Sequence, residues 1–164
     1  MGLRTQSVDS SESKACLEAA GAEAIAQALW QPFGPFSMAV VQGDGRLVHL
    51  KGQVPLNQQG EVVGEGDMRK QLQQVLENMS IVLSELGGRL SDVISLVQYT
   101  TDINAFIAAG DIRRAYFSKP YPVTSTIEVA ALYRPEVLVE IAGLAEVPMN
   151  RFRMPAGGVS LFPP

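Results

Sequence analysis

From Asp67 to Gly88 the apolar residues Met68, Leu72, Val75, Leu76, Met79, Val82, Leu83 and Leu86 recur every three or four positions, a period that an α-helix turns into one continuous face. Asp67 stands where an N-cap carboxylate belongs, and Gly87-Gly88 stands where the helix must end. A helix with such a face has to bury it, and short β-type runs on both sides supply the partner. Phe36–Val41 and Leu47–Leu50 flank Gly43-Asp44-Gly45, which predicts a hairpin, because Asp-Gly adopts the turn that matches strand twist. Gly52 to Gly60 reads as a loop. Asp92–Thr101 predicts a strand, and Asp102 caps a second helix from Ile103 to Phe117 with Gly110 inside it. Lys119-Pro120-Tyr121-Pro122 cannot continue that helix. Thr124–Leu132 and Val137–Val147 predict two strands joined as a second hairpin through Tyr133-Arg134-Pro135-Glu136. Helices inserted between strands require crossovers, so the expectation is an α+β domain with a mixed sheet and helices on one face.

Outside this core, residues 12–30 predict an Ala-rich N-terminal helix docked through Leu17, Ala20, Ala24 and Leu29, and residues 148–164 form a Pro- and Gly-rich tail. The 164 residues suit one domain, divided as an N-terminal extension over 1–32, a core over 33–147 and the tail over 148–164. Hydrophobic residues at 46% and charged residues at 18% are enough apolar surface for a core and too few charges for a disordered chain. Thirteen Lys and Arg against 17 Asp and Glu, with no basic cluster, count against nucleic acid as the main ligand. One cysteine, Cys16, and one histidine, His49, cannot enclose a zinc ion, so no metal is expected. No apolar run approaches the ~18 residues of a membrane span, no secretory signal is evident, and a reducing, cytoplasmic setting is expected.

Several segments together resemble the Rid family (reactive intermediate deaminases, also called endoribonuclease L-PSP-like). They are Gly34-Pro35-Phe36, Gly52-Gln53-Val54-Pro55, Gly60-Glu61-Val62, the helix over 67–86, and above all Tyr121-Pro122-Val123-Thr124-Ser125-Thr126-Ile127-Glu128-Val129-Ala130. The resemblance covers about residues 33–147. It implies a chorismate-mutase-like fold assembled as a homotrimer, with ligand clefts between adjacent subunits. It also implies hydrolysis of 2-imino or 2-amino acrylate-type acids to keto acids and ammonia, with no metal or organic cofactor.

In the deaminases of that family an arginine forks the substrate carboxylate at the position of Thr124, and a glutamate aligns with Glu140. This chain keeps the acid and lacks the arginine, which makes it a divergent member. A threonine gives one neutral hydrogen bond where arginine gives a charge-assisted pair. The resemblance assigns Glu140 to position or activate water, Thr124 and Thr126 to hydrogen-bond substrate, and Phe36, in place of a tyrosine, to form an apolar wall. Lys51 replaces a small serine, and Gly110 replaces a cleft asparagine. Lys51, Arg113 or Arg114 are the positions from which the missing charge could be re-supplied. Each has a bland alternative: Glu140 as a solvated strand residue, Lys51 as a solvated strand end, and Arg113 or Arg114 as surface side chains that leave their helix about 100° apart. Glu128 reads as structural or interface-facing. The expected partners are a small-molecule substrate and further copies of the chain, with neither nucleic acid nor membrane. The functional expectation is an enamine or imine deaminase, and the alternative is a catalytically silent member that binds metabolites or proteins.

Overall fold

The computed structural model describes Trp30 and residues 32–154. The chain divides into two compact units, Met1–Phe33 and Gly34–Pro164. Of the first, the described part shows Trp30 and Phe33 stacked with ring centroids 5.6 Å apart. The expected N-terminal helix and Cys16 lie outside the described residues, as does the end of the tail.

The second unit holds β1 (Arg46–Gln53), α1 (Met68–Glu85), a single 3-10 turn (Leu90–Asp92), β2 (Val93–Thr100), α2 (Ile103–Ala108), α3 (Gly110–Tyr116), β3 (Val123–Glu128) and β4 (Val139–Val147). Local signals set both ends of α1. The Asp67 carboxylate accepts from the Arg69 and Lys70 amides. At the other end the Gly88 amide donates to Leu83 and the Gly87 amide to Ser84, a closure that needs the positive φ of Gly87, +76°. Arg153 then donates to the carbonyl oxygens of Ser84 and Glu85, and Arg151 to that of Gly87, so residues 148–154 fold back over the negative end of the helix dipole.

The four strands lie in the order β1-β4-β2-β3, antiparallel except for the parallel pair β2 and β3. The sheet is mixed, as the crossovers require, and α1, α2 and α3 contribute to one core layer against it. Met68, Leu72, Val75, Leu76, Met79 and Leu83 of α1 pack with Leu96, Val139, Ile141 and Ala145, each fully buried leucine contributing roughly 1.5–3 kcal/mol. Gly143 lets α1 come close, since a side chain there would sit 3.2 Å from Leu96 and Met79. The opposite face of the sheet, with Val97, Tyr99, Ile127, Glu140, Ala142 and Leu144, is only half-buried or exposed.

Neither expected hairpin forms. Residues 36–45 contain no strand, and β1 pairs with β4 instead. The Gly43 and Gly45 amides both donate to the Glu146 carboxylate at 2.7 Å, which ties the Asp-Gly turn to the end of β4. The Ser37 amide donates to Pro122, drawing the preceding segment toward β3. At the C-terminal end, β3 and β4 are not neighbours. Val139, Ile141, Ala145 and Val147 are buried, so β4 takes a central place, whereas the polar and largely exposed β3 takes an edge. The strand expected over 124–132 is correspondingly shorter, ending at Glu128. The helix expected over 103–117 is broken at Ala109-Gly110, where glycine weakens helical continuity. Among the described residues no helix is long and apolar enough to cross a membrane.

One buried side chain locks the entry to β4. Gln71 of α1 is fully buried, donates to the carbonyls of Gly64 and Glu136, and accepts from the Leu138 amide at 2.7 Å. Gln71→Leu leaves a buried backbone amide and two carbonyls without this partner, and is expected to lower unfolding free energy by about 2–4 kcal/mol. Urea denaturation of the two proteins measures it.

Candidate functional site

Glu140 lies on β4 directly opposite Tyr99 of β2, on the face away from the helices. Across its other edge β4 meets β1 at an irregularity: four residues of β1, Leu50 to Gln53, lie opposite three of β4, Ile141 to Gly143. Gly52 falls in that bulge. A Cβ on Gly52 would fall on the Glu140 Oε1 and lie 2.8 Å from its Cδ and 3.0 Å from its Cγ. The carboxylate therefore rests on bare β1 backbone, and the glycine is needed for close approach rather than for its φ. Among the described residues the Glu140 carboxylate has no hydrogen bond or ion pair. Such a half-buried acid is available to bind a proton or orient a water.

Lys51 is exposed, and its Nζ donates to the Gly52 carbonyl at 3.0 Å. It forms no ion pair with Glu140. Tyr99, which periodicity alone did not single out, is the cross-strand neighbour of Glu140. Only the pairing of β2 with β4 reveals it.

Thr124 and Thr126 share a face, as the two-residue period requires, but it is the other face of the sheet. Their register partners are Leu96 and Gln98, whose side chains are buried on the helix side. Gln98 Nε2 donates to Thr126 Oγ1 at 3.1 Å, and Arg113 Nη1 of α3 donates to Gln98 Oε1 at 3.2 Å. The Arg113 guanidinium lies 4.2 Å from the centroid of the Phe106 ring. Burial pushes its pKa down to about 10, with the neighbouring Arg114 charge adding to the effect. Gln98 was not anticipated. Its signal was a glutamine on the apolar side of a strand pattern, two residues after Leu96. Arg114 remains exposed.

Phe36 is half-buried against Gly34, in the segment tied to β3 through the bond from Ser37 to Pro122. Glu128 resolves as structural: its Oε2 accepts from the Ile103 amide at 2.8 Å and helps close the N-terminus of α2. A single chain thus carries two groups of these residues on opposite faces of its sheet. Glu140, Gly52, Lys51 and Tyr99 lie on one face, and Thr124, Thr126, Gln98 and Arg113 lie at the β3 edge of the other. Two open concavities, one bounded by Asp67 and Ala109 and one by Glu61 and Arg134, contain none of the five expected site residues. Among the described residues no group of three or more His, Cys, Asp or Glu could hold a metal ion.

The fold is a mixed four-stranded α+β sheet with helices on one face and Glu140 on the other, and comparison with known proteins identifies the family. The endoribonuclease L-PSP family model matches residues 26–147, and the chain belongs to that family, which includes the Rid and RutC proteins. It is 35% identical over 102 residues to a 2-iminobutanoate/2-iminopropanoate deaminase of Dermatophagoides farinae, covering 62% of this chain and 78% of that one. It is 31% identical over 116 residues to the 3-aminoacrylate deaminase RutC of Acinetobacter baylyi, covering 71% and 90%. Among solved structures it is similar to a Rid-family protein of Yersinia pestis, with a TM-score of 0.60 and 37% identity over 69% of this chain and 87% of that one.

The contact with Gly52 can be tested directly. Gly52→Ala displaces the flexible end of Glu140 rather than backbone, so unfolding free energy is expected to change by less than about 1 kcal/mol. The carboxyl-carbon NMR resonance of Glu140 should move. An unchanged resonance would mean that the carboxylate does not rest on residue 52.

Proposed function

We propose that this protein is a cofactor-independent hydrolytic deaminase acting on an imine, enamine or related amino-substituted acid. We further propose that it works as a homotrimer whose clefts lie between subunits, where the β3 edge of one copy meets the Glu140 face of the next. The carrying observation is the Glu140 carboxylate, held over Gly52 with no partner among the described residues, in a family whose relatives include named deaminases. The two half-sites on opposite faces of one chain support an arrangement between copies.

In this reading Glu140 accepts a proton from a water as its oxygen attacks the carbon of the C=N bond. The proton passes to nitrogen, the C–N bond of the resulting carbinolamine breaks, and the products are a keto acid and ammonia. An enamine enters the same route after protonation at carbon. Thr124 and Thr126 hydrogen-bond the substrate, Phe36 bounds it, and Lys51 contributes to holding it. Comparison of ammonia release from 2-imino acids generated in situ tests the role of the acid. Glu140→Gln is expected to lower the rate by about a hundredfold or more with unfolding free energy nearly unchanged. Equal rates would remove Glu140 from the mechanism.

A second reading, a catalytically silent metabolite binder, is favoured by Thr124 standing where the family's deaminases carry arginine. Thermal-shift screening separates the two, since a ligand that raises the melting temperature without turnover supports the silent form.

A further inference from the structure

Arg113 has the surroundings of a cation waiting for an anion. Its side chain is half-buried under β3, and its Nε is fully enclosed with no acceptor. Among the described residues no carboxylate pairs with it: the acids in ion pairs, Asp67, Asp92 and Asp111, are held by Lys70, Arg151 and Arg69. Arg114 adds a second positive charge close by, since Nη2 of Arg113 and Nη1 of Arg114 both lie within 3.7 Å of where a Cβ on Gly110 would be. A guanidinium partly removed from water without a counter-charge is costly, and an anion supplied from outside offsets that cost.

The hydrogen bonds also carry a direction. A guanidinium only donates, so the Gln98 atom facing Arg113 must be the carbonyl oxygen Oε1. The amide nitrogen then faces Thr126 and can only donate, which makes the Thr126 oxygen an acceptor. The one proton of that hydroxyl is left to point away from Gln98. Thr126 lies on an exposed edge strand, so the outward group is a donor backed by a positive charge through one amide. Without Arg113 the Gln98 amide could flip, and the hydroxyl would have no fixed polarity.

We propose that Arg113 is a positioning residue of the cleft, which through Gln98 fixes Thr126 as an outward donor and so selects ligands bearing a carboxylate. The proposal rests on the reading that the β3 edge lines the ligand cleft. It assigns the charge absent at Thr124 to a different element, α3, and makes it act at one remove.

The test is an NMR titration of the full-length protein with pyruvate, the smallest three-carbon 2-oxo acid, and in parallel with its uncharged methyl ester. Wild type is expected to bind pyruvate at least about tenfold more tightly than the ester, the ratio expected when a charge-assisted bond is lost. Thr126→Val and Arg113→Gln should each weaken pyruvate binding about tenfold or more and weaken the ester several-fold less, while Arg113→Lys recovers part of the loss. Gln98→Glu supplies a variant of the same shape that pairs with Arg113 and cannot donate to Thr126. It should abolish the preference for the acid over the ester even if Arg113→Gln fails to fold. Equal wild-type affinity for acid and ester, no binding of pyruvate by wild type, or unchanged pyruvate affinity in Thr126→Val and Gln98→Glu would each overturn the proposal. Ammonia release is read separately. A protein that deaminates but shows no dependence on Arg113 keeps the enzymatic reading and loses this one. A protein that binds carboxylates through Arg113 without releasing ammonia does the reverse.

Discussion

The packing of α1 across β4 is the contact on which the remaining structure hangs. Val139, Ile141, Ala145 and Val147 present one apolar side of β4, and Met68, Leu72, Val75, Leu76, Met79 and Leu83 present one apolar side of α1. Burying both surfaces against each other forces β4 away from the edge and between β1 and β2. Once β4 is central, its alternate residues are fixed on the uncovered face, which is where Glu140 comes to lie. Gln71 adds the polar part of the same lock, because it satisfies the backbone just before the strand begins.

The two faces of the sheet carry different chemistry for the same reason. On the open face the Glu140 carboxylate sits on a glycine, opposite a tyrosine on the neighbouring strand. On the helix side of β3 a half-buried cation is linked through the Gln98 amide to the exposed Thr126 hydroxyl. One chain cannot bring the two together across its own sheet. The two concavities bounded by Asp67 and Ala109 and by Glu61 and Arg134 hold none of the five expected residues.

The elements legible in the sequence were those with short-range causes. The span of α1 followed from its three- and four-residue period, its start from the Asp67 carboxylate and its end from Gly87, all within a few residues of the backbone they act on. Asp102 marked the start of α2 equally well. Turn chemistry near residue 44 misled, because the glycine amides found a carboxylate, Glu146, about a hundred positions away rather than a hairpin partner nearby. The β3 and β4 pairing failed similarly: adjacency along the chain predicted a hairpin, and the competition for burial between Ile141 and Thr126 decided against it.

The sequence by itself determined the helix over 67–86, the mixed α+β class, the family pattern around Thr124 and the retention of Glu140, since each depends on residue type, period or local spacing. Tertiary structure alone decided that Glu140 rests on Gly52 and faces away from Thr124 and Thr126. It alone brought Arg113 through Gln98 to Thr126, and showed Glu128 closing a helix. Those relations join residues from different strands and helices. They are set by which surfaces are most costly to leave in water, a comparison that no stretch of sequence can make alone.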